Sequence, residues 1–311
     1  MLRLIGVELF KLKKRWLVYA LLLPLLVFTV IPIISNYSNY KNILEKYPGV
    51  EDIEITTTTN VDQEIIIIVD EQIGQDNNKL QRWAQIAADF KAAFTLPGSL
   101  ENAFNSIAGL GALLIIILTA SAVGSEYGWG TLRQMLIKGT GRERYLTSKL
   151  LGILIVVVIG ILAALLAGFI TSLVTTAIAG ESINFDFLNL DFVGFMFSAF
   201  GALLLSLLVY FSLSTLFSVL LRSVTSGMVI GVVFIYADML IVSLLTYANN
   251  WWANLAPYTI GHNISIISDL FTINGDSESS MLKAISILLV YCIVFLGISF
   301  YSFRRQDITT G

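Results

Sequence analysis

The sequence predicts an all-α membrane protein of six transmembrane helices. To these it adds an N-terminal interfacial helix and a small extracytoplasmic α+β insert between spans one and two. Three observations predict this. Hydrophobic residues make up 56% of the chain and charged residues only 13%, against roughly 25% charged in a soluble globular domain. The apolar residues are gathered into six blocks, each long enough for the ~20-residue helix that crosses a bilayer. The basic residues are confined largely to alternate connections between those blocks, as the positive-inside rule requires.

The blocks are residues 16–34, 101–123, 150–179, 191–221, 224–246 and 283–303. The third and fourth exceed one crossing and are expected to tilt or to extend past the membrane. Arg3, Lys11, Lys13, Lys14 and Arg15 precede the first block, and Arg133, Lys138, Arg142, Arg144 and Lys149 lie between the second and third. With Arg222, Arg304 and Arg305 these make 13 of the 19 Lys and Arg, all on one side if every block spans. That side is the cytoplasm, so both termini are expected there, in a multi-pass protein of the cell membrane. Removing any one span breaks the agreement. The first block with its basic flank also has the outline of a signal peptide, but no A-x-A-like site follows it and Pro24 and Pro32 interrupt it.

Residues 1–15 place Leu2, Ile5, Leu9, Leu12 and Trp16 at helical spacing among basic residues. They read as an amphipathic helix lying in the cytoplasmic interface, or as a basic flank that only sets topology. The 35–100 connection is acidic. Ile53–Thr59 alternates and Ile65–Val69 is β-branched, which suggests a hairpin around Asn60–Asp62. Leu80, Trp83, Ala87, Phe90 and Phe94 then share one helical stripe, stopped by Pro97 and Gly98. That stripe has two possible seats, the membrane surface or the underside of the hairpin.

The 124–149 connection carries the most specific pattern. Thr131 and Gln134 form a capping box, which starts a short helix at Leu132, and Gly139 is placed to end it. The helix would present Leu132, Met135 and Leu136 with Arg133 and Lys138 at the cytoplasmic surface, as a docking element. A second helix begins near Arg142 and runs into span three.

Here the chain resembles a known family. Glu126, Gly130-Thr131-Leu132-Arg133, Gly141-Arg142 and Lys149-Leu150-Leu151, with the ending Phe303-Arg304-Arg305-Gln306-Asp307, are similar to the signature of type-2 ATP-binding-cassette permeases. The resemblance implies a bacterial exporter subunit of six spans, half of a dimeric pathway formed with a second copy or a sister permease. It implies that Glu126, Gly130, Thr131, Leu132, Arg133, Met135 and Leu136 couple to a separate cytoplasmic ABC ATPase, present in two copies. It also implies short re-entrant helices within the 247–282 connection, for which Trp251–Phe271, broken at Pro257 and Gly261, is suited. Residues 304–311 form the cytoplasmic tail. The 36–98 insert is larger than the family needs, so the substrate of a relative does not transfer.

Other chemistry is thinly represented. No G-x-x-x-x-G-K-[ST] string exists to cradle phosphates, so no cofactor is expected on this chain and ATP belongs to the partner. His262 is the only histidine, which removes the HExxH pattern. Cys292 has no histidine at helical spacing and reads as a small packing residue. The near-neutral net charge of −3 offers nucleic acid nothing. The expected surroundings are membrane lipid, and the chain is expected to be non-catalytic. Asp238 lies well inside span five and is a candidate pathway or proton-binding residue, or a hydrogen-bonding residue that holds helices together. Gly160, Ala164 and Gly168, and Gly227 and Gly231, form small-residue stripes suited to packing within the chain or between copies. Two further functions compete with the permease. An ion-driven secondary transporter would show several charged or broken spans and internal repeats, and a receptor or scaffold would bind its ligand on the outer insert.

Overall fold

The computed structural model describes residues 2–48, 50, 75–128, 141–180, 188–247, 251–272 and 279–306. It is helical almost throughout, with no strand among the described residues. The helices are α1 (Leu2–Lys14), α2 (Trp16–Lys46), α3 (Gln75–Phe94), α4 (Gly98–Gly128), α5 (Arg142–Ile178), α6 (Leu190–Leu220), α7 (Val224–Tyr247), α8 (Ile260–Ser268) and α9 (Ser279–Arg305). Short 3-10 helices at Trp251–Tyr258 and Asp269–Phe271 flank α8. Six helices, α2, α4, α5, α6, α7 and α9, are long and apolar enough to span a membrane. The expected hairpin at 53–69 and the capped helix at 132–138 lie outside the described residues.

The helices are longer than the apolar blocks. At about 1.5 Å per residue, the 31 residues of α2 rise about 46 Å, well beyond the ~30 Å hydrocarbon core. Its last turns therefore project past the membrane, and α3 packs against them. Phe94 is buried there, its ring 5.5 Å from Tyr37 and 5.4 Å from Tyr40, and Trp83 stacks on Tyr47 at 4.8 Å. The predicted stripe on α3 thus seats on the extension of α2. Ser172 on α5 fixes the arrangement by donating to the Phe94 carbonyl at 2.8 Å.

α4 sits at the centre, packed on α2, α5, α6 and α7. Close approach there depends on missing side chains. A methyl group at Gly124 would lie 2.6 Å from the Val224 backbone, and one at Gly231 would lie 2.6 Å from Ile116. On α5, a methyl at Gly160 would meet Leu22 of α2 at 2.7 Å, and one at Gly168 would meet Ala103 of α4 at 3.3 Å. Both small-residue stripes are therefore used inside the chain, as close helix packing in a membrane favours. Several hydroxyls within the spans bond along their own helices: Thr29, Ser206, Thr215 and Ser299 each donate to the carbonyl four residues earlier. α1 and Gln306, together with the two ends of the 129–140 connection, lie at one end of the bundle, called the base below.

Candidate functional site: a charge-locked base around residues 129–140

α1 packs on the first turns of α5. Its inner face carries Leu4, Ile5, Glu8 and Leu12, while Val7, Phe10 and Trp16 are exposed. Trp16 does not continue the inner stripe; it starts α2 and is 81% exposed. Glu8 stands on the buried side at helical spacing from Leu4 and Leu12. Gly152 makes room for it, since a methyl there would sit 3.3 Å from the Glu8 Cβ.

Glu8 meets Lys149 of α5, and Lys149 meets Glu126 of α4. The Lys149 Nζ is 2.5 Å from Glu126 Oε1 and 3.5 Å from Glu8 Oε2, and all three side chains are buried. Lys11 closes on the other Glu8 oxygen at 2.8 Å. Arg15 donates to the Ser121 carbonyl at 3.3 Å and to Ser125 Oγ at 3.2 Å. An ammonium withdrawn from water is tolerated only where carboxylates and hydrogen bonds replace its hydration. The network therefore fixes the relative positions of α1, the last turn of α4 and the start of α5.

The C-terminal residues grip the same place from the other side. Arg142 Nη1 donates to the carbonyls of Arg304 at 2.7 Å and Gln306 at 2.8 Å. Gln306 donates through Nε2 to the Val219 carbonyl at 2.7 Å and accepts from the Tyr127 hydroxyl at 3.1 Å. Phe303 stacks on Tyr145. The ending Phe303–Gln306 is thus wedged between α4, α5 and α6, and both ends of the 129–140 connection are held by helices distant in sequence.

Of the residues singled out in the sequence, Glu126 lies in this network. Gly130, Thr131, Leu132, Arg133, Met135 and Leu136 lie outside the described residues. Asp238 is remote from the base, about 21 Å along α7 from Val224 at 1.5 Å per residue. It is 6% exposed, and its Oδ2 accepts the backbone N–H of Gly261 in the first turn of α8. The carboxylate thus caps a helix N-terminus from another helix, where both the orphan amide and the helix dipole favour negative charge. Gly261 is the residue that allows it, because a methyl there would fall 2.6 Å from that oxygen. α8 is locked further by Asn263, which donates to Pro257 and Thr259 carbonyls, and by the Tyr291 hydroxyl on Tyr258. Phe271 returns the chain to the core by stacking on Phe104. The segment breaks at Thr259: Pro257, expected at the break, lies inside the 3-10 helix Trp251–Tyr258, and Gly261 lies inside α8.

Sequence reasoning missed Glu8, Arg15 and the anchoring role of Gln306. The available signal was a lone acid on the apolar face of a basic helix. Such a residue is costly there without a buried cation to meet it.

The fold and its base define a polytopic α-helical membrane protein of the permease class. The family model described as "ABC-2 family transporter protein" matches residues 10–308, and the chain belongs to that family. No curated protein and no solved structure matches the chain. The chain is thereby a permease component of an ABC transporter, a class of membrane subunit that partners with an ABC ATPase component.

Proposed function

We propose that the chain is the non-catalytic permease subunit of an ATP-driven exporter, with its base and both termini in the cytoplasm. Two permease subunits form the pathway, and two ATPase subunits dock beneath the 129–140 connection. The observation that carries this reading is the convergence of Glu126, Arg142, Lys149 and Gln306 around both ends of that connection. These are signature residues from the two flanks of the connection and, in Gln306, from the distant end of α9, and they meet where a force from a docked ATPase would enter. Because α1, α4 and α5 are joined there by buried charge, a push on the connection moves them together. The spans then exchange inward for outward access as packed bodies. Leu132, Met135 and Leu136 supply the apolar contact with the ATPase, with Arg133 beside them; Gly130 and Thr131 begin the contacting segment. Asp238 holds the re-entrant α8 at the far end of the pathway.

The test is the double substitution Leu132→Asp, Met135→Asp in the full transporter. The expected result is loss of ATPase co-purification or of ATP-driven transport, with the thermal unfolding of the permease unchanged. Full co-purification and full transport would overturn the coupling role. Transport assays on inverted vesicles fix the direction.

A further inference from the structure

At the base, the corner between α6 and α7 and the last turns of α9 enclose an open cleft of about 540 Å³ lined by Leu220, Arg222, Ile298, Tyr301, Arg305 and Gln306. Three features set it apart from an ordinary basic surface. First, Arg222 and Arg305 both face it, and neither makes an ion pair among the described residues, whereas the neighbouring Arg304 pairs with Glu143. Second, its walls are placed by the fold: the Arg222 backbone sits in the tight corner at φ 50°, Arg305 lies over the Tyr301 ring at 4.6 Å, and Gln306 is tied to Val219, Ser302 and Tyr127. Third, its rim is continuous with exposed apolar residues, Leu220, Leu221, Ile298 and Tyr301, at the end of spans α6 and α9. Two guanidiniums lining one cleft match a phosphate, because their planar forks present paired donors. An apolar rim directly above matches acyl chains.

We propose that this cleft binds the headgroup phosphate of an anionic phospholipid in the leaflet at the base, with Arg222 and Arg305 as its ligands. Basic pockets between spans recognise headgroups in this way. The lipid would then brace the α6–α7 corner against α9 beside Gln306, the residue that ties the end of α9 to α4 and α6. The inference needs only the membrane-spanning fold. It stands whether or not the chain exports.

The experiment is native mass spectrometry of the full-length permease, released from detergent and titrated with phosphatidylglycerol or phosphatidylcholine. Wild type is expected to retain one tightly held phosphatidylglycerol per chain and to hold phosphatidylcholine much more weakly. Arg222→Asn with Arg305→Gln should weaken phosphatidylglycerol binding roughly thirty-fold, about five-fold for each arginine near an anionic headgroup. Asparagine is chosen at 222 because it tolerates the left-handed backbone. Unchanged thermal unfolding of the apo double variant separates lost binding from lost fold. Lys13→Gln with Lys14→Gln on α1 should leave the retained lipid in place. The proposal is overturned by equal retention in the arginine variant, by equal affinity for the two lipids, or by loss in the α1 variant instead. It is also overturned if truncation after Gln306 raises lipid binding several-fold, which would make the chain's own tail the occupant. Weakened ATPase co-purification by the arginine variant, without any change in lipid binding, would assign the cleft to the ATPase.

Discussion

Lys149 lies between the carboxylates of Glu8 and Glu126, and all three side chains are withdrawn from water. Lys149→Met removes the ammonium that both acids face. Breaking one side of a buried ion pair costs about 3–5 kcal/mol. The melting temperature in detergent should fall accordingly, while Lys149→Arg should recover most of the loss. A variant as stable as wild type would mean that water reaches these acids. Asp238 is a second site where one atom matters. Asp238→Ala removes the cap on Gly261, worth about 1 kcal/mol, and should raise amide exchange across 260–268. Asp238→Asn keeps an acceptor oxygen and should preserve both exchange protection and transport. Transport lost with Asn while protection is kept would instead assign the carboxylate an ionised or proton-binding role.

Among the elements, α1 shows how far periodicity carries and where it stops. The 3–4 spacing of Leu2, Ile5, Leu9 and Leu12 marks an amphipathic helix, and one is present. The same spacing does not reveal that Glu8 is the buried centre of that face. The reason lies some 140 residues away on α5, and helix periodicity carries no information about such a pairing. The six spans were legible because about 20 apolar residues in a row have few other solutions. Their ends were less so: α2 runs on to Lys46 through polar residues because α3 covers its apolar face there, a contact between elements that local composition does not contain. For the candidate site, Glu126 was visible as part of a pattern, but Arg15 and Gln306 acquire their roles only from tertiary hydrogen bonds. A prediction belongs at this scale. Gly152→Leu puts a side chain where Glu8 and Leu12 now lie. It should release α1 from α5, seen as faster amide exchange across residues 2–14, with the exchange of α6 and α9 unchanged.

For the whole molecule, the division of polar chemistry is as informative as the span count. The base holds the buried ions and the clamped end of α9, Phe303–Gln306, and the far end holds α8 with its Asp238 cap. The apolar contacts between α4 and its neighbours join the two ends. Both flanks of the 129–140 connection are held from within the chain, by the Glu126–Lys149 pair and by Arg142 on the end of α9.

The Glu8–Lys149 contact also bears on how the chain is made. A ribosome adds about 5–20 residues per second. At that rate Glu8 emerges roughly 7–28 s before Lys149. During that interval α1 has no α5 to dock on, and its apolar residues Val7 and Phe10 stay exposed even in the finished fold. Glu8 is thus made well before the lysine that neutralises it, and α2 and α4 are both synthesised in between.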